Sequence, residues 1–181
     1  MANLLKIKHI KTDWQNTKDS AISVGIYDSL QLTRQLQEVN KKLGQVISYT
    51  ISAGIIKGKA GEVTRIVGEK GLVAYIYGMG KKGNLNPESL RLSAAAVAKE
   101  CIKDRIDSVS FLIPAEAKDL HSSQATAEGL VLGSYQFNEF KTSRDDIALL
   151  ESASIVGGDK KSIEKGFVIA NSVCFARDLE N

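Results

Sequence analysis

Apolar positions along this chain fall into two periods, and the switches between them predict its elements. Leu4 to Ile10 reads as a first strand, with Leu5 and Ile7 on one face. In "ISVGIY", Ile22, Val24 and Ile26 alternate at period two and predict a second strand. The period then changes. "DSLQLTRQLQEVNKKLG" spaces Leu32, Leu36, Val39 and Leu43 as one helical face. Asp28 or Ser29 is expected to cap its start, and Gly44 to take the left-handed conformation past its end. "VISYTISAG" stays open between a strand, for its β-branched content, and a short second helix. "GKAGE" reads as a turn, and "VTRIVG" and "LVAYIY", separated by "EKG", as a hairpin. The second of these strands is apolar at nearly every position, so both its faces should be covered.

In "PESLRLSAAAVAKECIKD", Leu90, Ala94, Val97, Ala98, Cys101 and Ile102 share a stripe. Asn86 is the expected cap, and Pro87 occupies the first helical position, where its missing amide costs nothing. "SVSFLI" is a buried strand stopped by Pro114, and the strand–helix–strand order implies parallel pairing through a crossover. "SSQATAEGLVLGSYQF" predicts a helix begun by serine caps, "DIALLESASIV" a last strand, and "KSIEKGFVIANSVCFARDLEN" a long terminal helix. Hairpins mixed with crossovers define the expected class: α/β, a mixed β-sheet flanked by helices on both faces.

Composition changes this picture little. The 181 residues suit one domain, and 43% hydrophobic with 25% charged content is ordinary for a globular chain. A net charge of +3 is mild, and the pairs Lys41-Lys42, Lys81-Lys82 and Lys160-Lys161 are scattered, which speaks against nucleic acid as a partner. Cys101 and Cys174 lie far apart inside apolar patterns, as buried thiols do, with no disulfide or zinc spacing. "MANLLKIKHIKTD" lacks the apolar core of a signal peptide and no run approaches a membrane span, so a cytoplasmic protein without membrane contact is expected.

Candidate chemistry is sparse. Gly78, Gly80 and Gly83 spell G-x-G-x-x-G after a strand. A dinucleotide fingerprint needs its helix to begin at the glycines and an acidic residue about 20 positions on, at the end of the next strand. Here the helix starts at Asn86-Pro87 and the next strand ends in Ile113-Pro114. The loop therefore reads as a connection that needs positive φ angles and close backbone approach. His9 and His121 belong to no metal spacing, and G-x-S-x-G does not occur. Asp145-Asp146, beside Arg144, reads as a solvated loop, and Trp14 as a packing residue. No catalytic, cofactor-binding or metal-binding residue is assigned. The terminal helix says more: Ile163, Phe167, Ala170 and Cys174 form one apolar stripe, and Ile169, Val173 and Ala176 a second on another side. A helix at the end of a domain normally has one apolar face, so two imply a neighbour on each.

That helix also carries a resemblance. "IANSVCFARDLEN" resembles the segment closing the N-terminal domain of leucyl aminopeptidases, the two-metal cytosol aminopeptidase family. Ala176, Arg177, Asp178, Leu179 and Asn181 match its A-R-D-L-x-N. "YGMGKKGNLNPESLR" is similar to the family's G-x-G-K turn before a helix, "AEGLVLGSYQFNEFK" to its A-E-G-x-x-L-G-x-Y-x-F stretch, and "GKAGE" to the loop ahead of its hairpin. The likeness covers most of the chain after about residue 20. The family's metal-site motifs, K-G-x-x-F-D-S-G-G and N-T-D-A-E-G-R-L, are not in this sequence, so no catalytic residue carries over.

The resemblance implies a macro-domain-like fold and a single non-catalytic N-terminal domain over residues 1–181. It also implies a separate C-terminal catalytic domain as partner, two divalent metal ions (zinc or manganese) held there rather than here, and a homohexameric parent. The expected role is structural, in assembly or in access. The alternatives are a stand-alone macro-like module for ADP-ribose or a nucleotide, with the loops near Gly25 and Gly78 to Gly83 as its site, and a nucleic-acid-binding domain.

Overall fold

A computed structural model describes residues 5–117, 119–137 and 147–180. Six strands form one mixed sheet: β1 (Lys6–Ile10), β2 (Ala21–Tyr27), β3 (Val63–Val67), β4 (Val73–Gly80), β5 (Ser108–Leu112) and β6 (Ser152–Val156), in the order β1-β6-β5-β2-β4-β3. Only β3, the first strand of the expected hairpin, runs antiparallel, against β4; every other pairing is parallel. Helices α1 (Arg34–Lys42) and α2 (Val46–Ser52) cover one face. Helices α3 (Pro87–Lys103), α4 (Leu120–Ser134) and α5 (Lys160–Glu180) cover the other. The expected mixed α/β architecture is therefore what the chain adopts.

Period-two alternation sorts the strand residues between two cores. Ile22, Val24 and Ile26 of β2 join Ala74 and Ile76 of β4 in packing on Leu36, Val39 and Ile47. Tyr75, Tyr77 and Met79 of β4 and Phe111 of β5 point the other way, against Leu90, Val97 and Leu130. Tyr77 and Phe111 stack at 4.8 Å between ring centroids. The first seven residues of β4 are all buried, as expected for a strand with both faces covered.

Several boundaries differ from those expected. The first helix begins at Arg34, capped by Thr33, whose hydroxyl accepts from Leu36 N; Asp28 and Ser29 lie in a turn. Leu30 there takes a positive φ of 57°, which a helix does not admit. Gly44, at φ 70°, follows the helix as expected. The open stretch "VISYTISAG" is helical because Asn40 ties the two helices together: its amide donates to Gln45 Oε1 (2.6 Å) and Ser48 Oγ (2.7 Å), and its Oδ1 accepts from Ser48 N. Asp119, not a serine, caps α4, while Ser122 and Ser123 are buried within it. The last strand starts at Ser152, and Arg144, Asp145 and Asp146 lie outside the described residues. Asn86 and Pro87 begin α3 as expected, with reciprocal hydrogen bonds between Asn86 and Ser89.

On the three-helix face, backbones approach closely at glycines. A Cβ on Gly129 of α4 would stand 2.2 Å from the carbonyl oxygen of Arg91 in α3, and one on Gly166 of α5 would stand 2.4 Å from that of Gln124 in α4. These contacts seat α4 between α3 and α5.

Candidate functional site

In an open α/β sheet, ligands bind beyond the carboxyl ends of parallel strands where the strand order reverses. Here that place is β2, flanked by β4 on one side and β5 on the other. A cleft of about 320 Å³ opens there. Tyr27 closes β2 and enters it; Lys82, Gly83 and Leu85 follow β4; Glu116, Ala117, Asp119 and Ser122 follow β5. Pro114 stops β5 and accepts a turn bond from Ala117 N (2.9 Å), which sets Glu116 facing Tyr27. The Tyr27 hydroxyl donates to Glu116 Oε1 at 2.8 Å. Burial and the neighbouring carboxylate raise the Tyr27 phenol far above its ordinary range, so it remains a donor.

The glycine loop borders this cleft but holds no open phosphate cradle. Gly78 N donates to Glu62 O (2.8 Å), and Gly80 N donates to Gly58 O (2.9 Å). The "GKAGE" turn lies directly on the strand end, so a Cβ on Gly78 would stand 1.9 Å from Lys59 O. Close backbone approach is thus the reason for glycine at 78, and φ angles of 70° and 99° the reason at 80 and 83. Gly25 offers no cavity either, because Met79 Sδ and the Tyr77 ring fill the space beside it.

The nearby helix N-termini are also closed. Asp119 accepts from Ser122 N (2.8 Å) and from the Ser122 hydroxyl. Asp159 Oδ2 accepts from Ser162 N (2.8 Å) at the start of α5. The Ser122 hydroxyl bond holds the Asp119 carboxyl below its usual range, and backbone and hydroxyl bonds from Ser162 do the same for Asp159. Carboxylates already occupy the positions an anion would take.

The other candidates fall into structural roles. Trp14 is buried, with the Lys42 ammonium 4.8 Å from its ring centroid. Cys101 and Cys174 are free buried thiols, and burial pushes Cys101 up to about 12. His9 sits on β1 and His121 in the first turn of α4. Among the described residues no three His, Cys, Asp or Glu side chains converge on a metal position, so the two metal ions of the resemblance have no fitting donor set in them. Lys41-Lys42 ends α1, whereas Lys81-Lys82 and Lys160-Lys161 follow the carboxyl ends of β4 and β6; the pairs make no single stripe.

A second candidate surface is α5. Its first stripe is buried: Ile163, Ala170 and Cys174, with Phe167 half-buried. Its second stripe is bare. Ile169 is 39% exposed and Val173 38%, and beside them Val168, Phe175 and Leu179 reach 62%, 64% and 75%. Tyr135 anchors the far end: its hydroxyl donates to Asp178 Oδ1 (2.9 Å), and the Arg177 guanidinium lies 5.6 Å from its ring centroid.

Sequence reasoning missed the Tyr27–Glu116 pair, whose members stand 89 residues apart with no local signal. It also missed the aspartate caps. Asp119 three residues before Ser122, and Asp159 three before Ser162, were the signals that could have revealed them.

The sheet order and three-helix face belong to the macrodomain-like α/β class. The macrodomain of Mycobacterium tuberculosis DarG superposes with a TM-score of 0.63 at 8% identity, over 86% of this chain and 99% of its own. A tomato leucine aminopeptidase mutant superposes with a TM-score of 0.79 at 20% identity, over 96% of this chain and 37% of its own.

The sequence model described as the cytosol aminopeptidase family, N-terminal domain, matches residues 24–144, and the chain belongs to that family. A protein from Aquifex aeolicus named as a probable cytosol aminopeptidase is 24% identical over 98% of this chain and 36% of its own length. One of the same name from a Picosynechococcus strain is 31% identical over 89% of this chain and 35% of its own. The chain thus spans about a third of the length of the curated relatives it matches. No helix among the described residues is long and apolar enough to cross a membrane.

Proposed function

We propose that residues 1–181 act as the non-catalytic N-terminal domain of a metal-dependent leucyl aminopeptidase, and that the bare flank of α5 seats its catalytic domain. The observation that carries this reading is the flank itself. Val168, Ile169, Val173, Phe175 and Leu179 stand in solvent on one helix, interrupted only by Ser172 and Ala176. Full burial of a wholly exposed side chain of this kind is worth about 1.5–3 kcal/mol, so covering Val168, Phe175 and Leu179 favours a partner most, and Ile169 and Val173, already more than half buried, add less. Family membership and the matched third of the relatives' length support the identity of that partner.

Peptide hydrolysis in the parent, by water activated on two metal ions, then belongs to the catalytic domain, and this domain contributes folding, hexamer assembly or access. A cytoplasmic location accompanies that role, in keeping with the relatives' names. The test is an assay of the 181-residue chain with leucine p-nitroanilide and added zinc or manganese. No turnover is expected; hydrolysis that follows the protein through purification would overturn the non-catalytic role.

The macrodomain likeness favours one second reading, a stand-alone module for ADP-ribose. The occupied amides of Gly78 and Gly80 and the Asp119 and Asp159 caps weigh against it. Calorimetric titration separates the two, because micromolar binding of ADP-ribose favours the module.

A further inference from the structure

We propose that the cleft between Tyr27, Lys82, Leu85 and Glu116 binds a free aliphatic α-amino acid. Glu116 receives its ammonium, Lys82 its carboxylate, and Leu85 and Ala117 its side chain. Three observations carry this. The first is charge. Glu116 uses Oε1 to accept from Tyr27, and no bond to its Oε2 is recorded among the described residues. Lys82, on the β4–α3 connection, is exposed and enters no ion pair among the described residues. The cleft thus presents an acceptor for a cation on the β5 side and a cation on the β4 side.

The second is size. A volume of about 320 Å³ lies at the low end of the roughly 300–1,000 Å³ typical of ligand pockets, which suits a small zwitterion better than a dinucleotide. The third is the closure of the competing sites. The Gly78 and Gly80 amides are spent on the "GKAGE" turn, and the Asp119 carboxylate accepts from Ser122 N at the α4 N-terminus, where it disfavours a phosphate. The ammonium–Glu116 contact is a charge-assisted hydrogen bond. The Tyr27 hydroxyl fixes the carboxylate that makes it, so little rotamer freedom is lost on binding. This inference does not rest on the docking of α5, which its test leaves unaltered.

The experiment is calorimetric titration of the 181-residue chain with leucine, with leucinamide, which lacks the carboxylate, and with 4-methylpentanoate, which lacks the ammonium. Leucine is expected to bind saturably. Glu116→Gln, which still accepts from Tyr27, and Lys82→Met are each expected to weaken it about tenfold, the loss of one charge-assisted contact. Leucinamide should keep its sensitivity to Glu116→Gln and lose its sensitivity to Lys82→Met; 4-methylpentanoate should show the reverse. Amide resonances of residues 27, 83–85 and 116–117 should move on titration while those of α5 stay in place. Absence of saturable leucine binding, wild-type affinity retained in both variants, or shifts centred elsewhere would overturn the proposal. An unchanged amide spectrum away from the cleft confirms that each variant folds.

Discussion

Helices α4 and α5 look alike in sequence and differ in the fold. Both are apolar around much of their circumference, and neither shows a single clean stripe. In α4 the reason is burial on nearly all sides: from Ser122 to Val131 only Gln124 escapes full burial, because α3 lies on one flank and α5 on the other. In α5 the same kind of pattern ends in solvent. Ile163, Gly166, Ala170 and Cys174 face α4 and β1, while Val168, Phe175 and Leu179 face nothing among the described residues. An all-round apolar helix states that neighbours are needed, and only the fold states which of them this chain supplies.

The sharpest way to break the contrast is to strike the covered helix. Gly129→Leu places a side chain against the Arg91 carbonyl, which is backbone and cannot swing away. A loss of about 3 kcal/mol is expected in urea unfolding of the 181-residue chain. A smaller blow falls on the buried ion pair between α3 and α4. Glu128 is almost wholly buried and accepts from Arg91 at 2.8 Å and from Gln124 at 2.7 Å. Glu128→Gln should cost about 1–2 kcal/mol in the same measurement, with Arg91 keeping its contact to Glu88.

The cap of α4 comes next. Asp119→Ala should cost about 1 kcal/mol at neutral pH. The Asp119 carboxyl is held below its ordinary value of 3.8, so the native state favours the ionised form. Its contribution is present above the unfolded value and disappears as pH falls through the lowered folded value. Unfolding curves of the wild type and Asp119→Ala should therefore converge in acid, once pH has fallen through that lowered value. A gap that persists there would mean the cap acts by shape and not by charge.

The smallest effect belongs to the exposed flank. Val168→Lys or Phe175→Lys should change stability by less than about 0.5 kcal/mol, because neither side chain is packed in this chain. A loss of several kcal/mol from Phe175→Lys would show that the flank is covered and would abolish the contrast.

Much of the architecture was legible in the residues, because it follows from local periodicity. The β3–β4 hairpin, the Asn86-Pro87 start of α3 and the two stripes of α5 are read from neighbouring positions. What stayed hidden depends on distant groups. The first helix is shorter than its leucine spacing implies because Leu30 turns left-handed and Thr33 supplies the cap. "VISYTISAG" could not be placed because Asn40, outside it, decides its conformation. The loops near Gly25 and Gly78 to Gly83 pointed to two sides of the cleft, but its side-chain chemistry stayed hidden: Tyr27, Lys82 and Glu116 meet only when β2, β4 and β5 are aligned. The glycine spelling failed as a phosphate signal because another backbone segment uses its amides.

The bare flank of α5 as the seat of a catalytic domain is the central claim, and hydroxyl-radical footprinting of Phe175 and Leu179 tests it most directly. The comparison is between the isolated 181-residue chain and the gene product as purified from its own cells. Strong labelling in the former and protection in the latter, in a polypeptide extending past Asn181, is the predicted result. Equal labelling of both residues in the two samples would contradict it.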